Sequence, residues 1–280
     1  MVTRAPLSAS PRFALCIATV GRIMELDRLL TSLEQQTYVH FHIYLADQNA
    51  PGVLDAMLAR HAALPLTRIM LPSRGLSVAR NRLLPPAADE DILAFPDDDC
   101  WYAPDTLEQA VAALRRHPDA GSVLASWTPD AATPPRDVRE RPLSAYALFA
   151  QGNSIVQFHR AEAMRDLRFD PQLGVGTGLP YGSGEDTDFL LQAQRRAAIW
   201  RCPAIRVFHP SPATQVPTGE KIAAYAAGRM FLLRKHGFPF WFRCVNVLYP
   251  LLMLPLAAMR LDRAGIWYRW RMFAERLRHF

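Results

Sequence analysis

Apolar residues in the first hundred positions fall into short unbroken runs, separated by longer stretches with helical spacing. This is the pattern of alternating strands and helices around a mostly parallel sheet. It predicts strands at Phe13–Ala18, Phe41–Ala46, Thr67–Leu71 and Ile92–Phe95. Between the first two, Leu26, Leu29, Leu30 and Leu33 share one face of a helix over Met24–Gln36 and are expected in the core. Further helices are predicted at Val53–Ala63, Ser77–Leu84 and Pro104–Arg115, the last with Pro104 as its first helical residue, and a strand at Ser122–Trp127 follows.

Beyond that strand the alternation weakens. Between Thr128 and Arg141 lie five charged residues and three prolines, which predict a surface loop and hinge. The stretch Gly174-Val-Gly-Thr-Gly-Leu-Pro-Tyr-Gly-Ser-Gly184 is glycine-rich, but Leu179 breaks the Gly-x-Gly-x-x-Gly spacing and no Gly-Lys-Ser/Thr occurs, which excludes dinucleotide and P-loop readings. A mobile loop over a site is the expectation. It leads into Glu185-Asp-Thr-Asp-Phe-Leu-Leu-Gln192, where acids open a helix with Phe189, Leu190 and Ala193 facing inward.

The chain has 280 residues, half of them apolar, enough for one large domain or a domain with an extension. Cys16, Cys100, Cys202 and Cys244 lie far apart without a Cys-x-x-Cys, which fits neither a zinc ribbon nor a disulfide framework and points to a reducing, cytosolic setting. Residues 1–12 read as a flexible, polar N-terminus, and the apolar run after them is too short for a signal-peptide core, so export is not expected.

Asp97, Asp98 and Asp99 follow the apolar run Ile92–Phe95. In an extended segment Asp97 and Asp99 would point one way and Asp98 the other, giving two hard oxygen ligands for a divalent cation at a strand end. Turn chemistry and helix capping are the other uses of such acids, and Asp105 is placed to cap the next helix.

Several separated features then fall in one order. Ala18-Thr-Val-Gly-Arg22 ends the first strand, Asp47 ends the second, Arg74-Gly-Leu-Ser-Val-Ala-Arg-Asn81 opens a helix after the third, Asp97-Asp-Asp99 ends the fourth, and Glu185-Asp186 comes later. Together they resemble the family 2 glycosyltransferases of the GT-A fold over roughly residues 13–210. The resemblance implies an α/β, Rossmann-like nucleotide-binding sheet over 13–127 and an acceptor-side half of the same domain over 128–237. It also implies an inverting transfer from a nucleotide-sugar donor to a glycan or lipid-linked acceptor, as in polysaccharide biosynthesis, with Mn²⁺ or Mg²⁺ as cofactor. Donor contacts are carried over to Thr19, Arg22, Asp47, Gly75, Arg80, Asn81, Asp97 and Asp98. The metal falls to Asp99 with Asp97 and His209, the general base to Asp186, and a supporting role to Glu185. Asp47 would accept an imino N–H, which favours uracil, although guanine offers a comparable group. Its other reading is a turn before Asn49-Ala-Pro-Gly52. Ser77 reads as an N-cap whose helix presents free amides to the nucleotide. Trp101 and Trp127 are candidates to stack on a sugar.

The formal net charge is +6, and residues 260–280 carry +4 of it through six arginines against Asp262 and Glu275. Before them, Val247–Met259 is strongly apolar but contains Pro250 and Pro255, and its 13 residues fall short of the ~17 a spanning helix needs. Ile266, Trp270, Phe273, Leu277 and Phe280 share a helical stripe opposite Arg271 and Arg278. Residues 238–280 are therefore expected to lie on the anionic cytoplasmic face of a membrane, or else to pack on the domain or another subunit. Nucleic acid is the weaker partner, because the charges are interleaved with aliphatics. Two other functions share parts of this pattern. A sugar nucleotidyltransferase has a related fold but needs a glycine-rich basic loop after the first strand, and Ala18-Thr-Val-Gly-Arg-Ile-Met is poor in that respect. A non-catalytic glycan-binding protein would need neither Asp99 nor Asp186.

Overall fold

A computed structural model describes residues 6–85, 87–135, 138–211, 217–259 and 261–280. The chain forms β1 (Phe13–Thr19), α1 (Ile23–Glu34), β2 (Phe41–Asp47), α2 (Asp55–Arg60), β3 (Leu66–Met70), α3 (Leu76–Leu83), β4 (Ile92–Ala94), β5 (Trp101–Tyr102), α4 (Thr106–Arg116) and β6 (Ala120–Thr128). There follow β7 (Arg141–Pro142), α5 (Ala145–Gln151), β8 (Gln157–Arg160), α6 (Ala161–Met164), α7 (Glu185–Gln194), β9 (Ala198–Phe208), α8 (Gly219–Lys235), α9 (Phe240–Leu252), α10 (Leu254–Met259) and α11 (Arg263–Arg278).

The sheet runs β3-β2-β1-β4-β8-β6-β9-β5, with β7 added on β9. β3, β2, β1 and β4 are parallel, as the alternating pattern predicted, while β8 is antiparallel to both of its neighbours. The order reverses at β1, which lies between β2 and β4, and this opens a crevice beyond the carboxyl ends of these strands. β1 is nearly all apolar and buried because helices cover both faces of a parallel sheet. The predicted leucines of α1 are in the core, as are Phe189, Leu190 and Ala193 of α7.

Local details depart from the sequence reading. β4 stops at Ala94, and the chain turns after Pro96, with Cys100 N–H donating to the Asp97 carbonyl. Asp97–Asp99 are thus in a turn, so their side chains do not alternate as in a strand. α4 begins at Thr106, two residues after Pro104, and Asp105 makes no side-chain capping bond. α3 begins at Leu76, so Ser77 lies inside its first turn; its buried hydroxyl donates to the Leu173 carbonyl (2.6 Å) instead of capping, and Leu76 N–H goes to the Val175 carbonyl. Of the predicted hinge, Arg136 and Asp137 lie outside the described residues.

The chain divides into two compact units. The first holds the sheet and comprises residues 6–74, 78–169 and 189–211; the second comprises 75–77, 170–188 and the described residues from 217 onward. These boundaries follow packing, not the sequence divisions at 127 and 237. In the second unit Ile222, Ala226 and Met272 form a small core with Tyr268, joining α8 to α11.

Pro250 sits inside α9 and does not end it. A proline leaves the carbonyl four residues earlier without its helical donor. Here that carbonyl, on Asn246, accepts from Arg276 Nη1 at 2.6 Å, while the Asn246 side chain accepts from Arg229 Nε at 2.9 Å. Helical structure therefore runs almost without a break from Phe240 to Met259, 20 residues that by length and composition suffice to cross a membrane, contrary to the limit inferred from the prolines. The buried side of α11 carries Met272 and Glu275, with Arg271 and Arg278 both paired to Glu275. Trp267, which is off the predicted stripe, is exposed together with Trp270 and Leu277.

Candidate active site

In the first unit, three strand ends bring the predicted residues together. β1 and β2 pair in register with Thr19 opposite Asp47, and the Gln48 N–H donates to the Thr19 carbonyl. Thr19 Oγ1 donates to Asp98 Oδ2 (2.8 Å), and Arg22 Nη1 reaches both Asp98 Oδ1 (3.0 Å) and Asp99 Oδ2 (2.5 Å). β5 pairs antiparallel with β9 so that Trp101 faces Phe208, which brings His209 beside the residues that precede Trp101. His209 Nε2 accordingly lies 3.4 Å from Asp99 Oδ1. Asp97 turns elsewhere, accepting from Arg80 Nη2 (2.7 Å) and Ser154 Oγ (3.1 Å).

Burial pushes the Asp98 carboxyl above its ordinary range, and the Thr19 and Arg22 contacts offset this only in part. For Asp99 burial acts in the same direction, but His209 and Arg22 outweigh it and hold the carboxyl below its usual range. His209 is raised in turn, chiefly by its bond to Asp99. Its Nδ1 contacts the Pro210 carbonyl at 2.7 Å. A carbonyl can only accept, so Nδ1 carries a proton, and Nε2 is the nitrogen that faces Asp99.

This geometry tests whether a divalent cation fits. Asp99 Oδ1 is buried, and the group it meets is the His209 imidazole at 3.4 Å, a long contact that leaves it without a close donor. A carboxylate oxygen in that state is costly without a cation, and the facing imidazole nitrogen completes a pair of ligands. Asp97 is less suited, because Arg80, 1% exposed, already occupies it. His117, Glu140 and Cys202 form a separate group with ligand atoms within 4.8 Å of one another. There Glu140 is held by Arg116 at 2.6 Å, and burial pushes the Cys202 thiol up to about 12, so these residues are a poor rival.

Asp47 is fully buried. Its Oδ1 accepts from the backbone and side chain of Asn49 (2.9 and 2.8 Å), the predicted turn, and its Oδ2 pairs with Arg68 Nη2 at 2.6 Å. Asn81 clasps the backbone of Phe169, donating to its carbonyl and accepting from its N–H at 2.8 Å each. Trp101 lies under Arg28, 3.9 Å from guanidinium carbon to ring centroid, and Arg28 also donates to the Asp99 carbonyl. Trp127 meets the His209 ring edge to face. The sequence reading missed Arg28, Arg68 and Ser154. Only Arg68 left a signal, as a cation inside a predicted strand.

The second unit carries Gly75, Glu185 and Asp186. Gly75 adopts φ 128°, which favours glycine. Four glycines of the 174–184 loop also take positive φ, a backbone conformation that side chains rarely adopt. Glu185 and Asp188 are buried, while Asp186 between them is partly exposed.

A doubly wound sheet with its acids gathered at the switch point has the architecture of a GT-A fold. The chain belongs to glycosyl transferase family 2, whose family model matches residues 14–172. Among solved structures, it is similar to the mannosyltransferase PcManGT from Pyrobaculum calidifontis in complex with GDP-Man and Mn²⁺ (16% identity, TM-score 0.68, 98% of this chain and 89% of that one). It is also similar to S. aureus TarS 1-349 in complex with UDP-GlcNAc (16% identity, TM-score 0.63, 96% and 93%). Against the longer TarS chain (15% identity, TM-score 0.61) it aligns over 93% of its own length and spans 55% of the other. Identities this low show a shared fold. No curated protein matches the chain by sequence.

Proposed function

We propose that this glycosyltransferase transfers a sugar with inversion from a nucleotide diphosphate donor, UDP-sugar favoured, to a glycan or lipid-linked acceptor, with a divalent cation bound at Asp99 and His209. The observation that carries the reading is the buried Asp99 Oδ1 at the switch point of the sheet, with no donor closer than His209 Nε2 at 3.4 Å. A bound Mn²⁺ or Mg²⁺ would neutralise the leaving diphosphate. Arg22, now paired with Asp98 and Asp99, is a cation within reach of the same phosphates. Asp186 takes the proton from the acceptor hydroxyl, since of the three acids that open α7 it is the only one not buried, and Glu185 has a supporting role. Arg68 beside Asp47 sets donors next to an acceptor, which complements the imide edge of uracil. The test is Asp99→Ala: UDP affinity in manganese, measured by calorimetry, is expected to collapse toward its metal-free value in a folded variant. Unchanged affinity refutes the metal assignment.

The same reading holds the enzyme at the anionic, cytoplasmic face of a membrane through its C-terminal helices. On α9, Trp241, Val245, Leu248, Tyr249 and Leu252 are all exposed and lie within one broad face; on α11, Trp267, Trp270 and Leu277 are exposed with Arg263 and Arg278 nearby. An apolar face rimmed by arginines matches an anionic lipid surface, where each cation near the surface adds about 1 kcal/mol. The other side of α9 is occupied, with Asn246 bonded to Arg229 and Arg276, which favours lying in the interface over spanning. Wild type should float with anionic vesicles and be released by high salt, while Trp241→Ser/Trp267→Ser/Trp270→Ser should stay at the bottom. Resistance to both high salt and alkaline carbonate would instead mean insertion across the bilayer.

A further inference from the structure

Along α8, Ala224, Gly228 and Leu232 are four residues apart and so line one face of the helix. Each meets one residue of the loop that leads into α7. A Cβ on Gly182 would come within 2.9 Å of Ala224 Cβ, one on Gly184 within 2.7 Å of Leu232 Cδ1, and one on Gly228 would run into the Ser183 carbonyl. Tyr181 stacks on Phe231 with ring centroids 4.5 Å apart. One turn further along α8, Lys235 Nζ and His236 Nε2 both bond Asp188 Oδ1, at 2.8 and 2.7 Å, and Lys235 also bonds Asp170 at 2.6 Å. Asp188 is fully buried, so an unpaired charge there would be strongly destabilising. Burial alone would raise its carboxyl, but His236 and Lys235 outweigh burial and hold it below the usual range. Asp188 N–H donates to the Gly184 carbonyl, closing the first turn of α7. Glu185 and Asp186 are therefore fixed from both sides, by Gly184 against Leu232 and by Asp188 against His236 and Lys235.

We infer that α8 sets the position of the Glu185–Asp186 turn, with Gly228 and the Asp188–His236 pair as positioning residues for the base. This rests on the reading of Asp186 as the base. Small residues at 224 and 228 let the loop backbone touch the helix, and the ion pairs fix its register along the helix axis. Reaction geometry is demanding: a misplacement of ~1 Å can cost about 10²-fold in rate. A role limited to holding the fold together would lower donor binding along with rate, whereas positioning lowers turnover and spares donor binding.

The experiment compares Gly228→Ala, His236→Leu and His236→Gln with wild type, using whichever sugar in a panel of UDP- and GDP-sugars gives the fastest nucleotide release in manganese. Alanine is the better helix former, so Gly228→Ala does not weaken α8 itself while pressing a methyl group on Ser183. Gly228→Ala and His236→Leu are expected to lower kcat about 10- to 100-fold, with nucleotide Kd near wild type although the melting temperature falls. His236→Gln, which keeps an N–H donor for Asp188, should recover most of that loss. Wild-type kcat in both Gly228→Ala and His236→Leu overturns the inference, as does a fall in kcat matched by an equal loss in nucleotide affinity. Asp186→Asn separates the two readings. Undiminished turnover there removes the base, whereas lost turnover there beside wild-type turnover in the other variants removes only the role given to α8.

Discussion

His159 on β8 is fully buried between Phe95 and Phe189, with ring centroids 5.8 and 5.4 Å away, and burial lowers its pKa from 6.5 to about 3. The neutral ring is fully satisfied: its Nδ1 lies 2.7 Å from Ser122 Oγ, and its Nε2 lies 3.0 Å from Gln157 Oε1. Because the folded pKa is depressed, the unfolded chain binds the extra proton between pH 6.5 and 3. The contribution of His159 to stability is thus complete above pH 6.5 and is lost as pH falls through that window. At pH 4.5 the loss is about 2.7 kcal/mol relative to pH 7.5, from two of the roughly 3.5 units at about 1.36 kcal/mol each. His159 pairs with Leu93 of β4, so the loosening would fall beneath the turn that carries Asp97–Asp99. The perturbation is His159→Gln, which keeps hydrogen-bonding groups and removes the titration. Urea unfolding at pH 7.5 and 4.5 should show wild type losing about 2.7 kcal/mol more than the variant, and the His159 ring proton should show no shift in NMR between pH 8 and 5. Equal losses in both proteins, or a His159 resonance that titrates near pH 6.5, would refute the argument.

Two further outcomes are expected. Asp47→Ala should weaken UDP binding at least tenfold by calorimetry while leaving inorganic pyrophosphate binding in manganese within about threefold, since the change touches the nucleoside end only; parallel losses would show Asp47 to be a turn residue alone. Arg276→Leu should destabilise the second unit by about 1–3 kcal/mol, because it leaves the Asn246 carbonyl without a donor beside Pro250, and the same change in a Pro250→Ala background should cost clearly less, since alanine at that position restores the helical N–H. Additive costs in that thermal-unfolding cycle would show that the two residues are independent.

The periodicity of the first hundred residues determined the parallel half of the sheet and the leucine face of α1, because strand and helix periods are local properties that burial then amplifies. The order of Thr19, Asp47, Asp97–Asp99 and Glu185-Asp186 was likewise enough to indicate a glycosyltransferase, since each sits at the end of an element that can be recognised from its neighbours. What the three aspartates do individually was not local. Pro96 ends the strand and a turn replaces alternation, so Asp98 and Asp99 share Arg22 while Asp97 goes to Arg80. His209 reaches Asp99 through the β5–β9 register, a pairing across more than a hundred residues. The helix through Pro250 was misjudged for the same reason: a proline breaks a helix only when no other donor takes the freed carbonyl, and here the donor, Arg276, comes from a different helix. Sequence spacing records which groups a segment carries; which partner each group meets is set by packing between segments, and only the folded chain decides that.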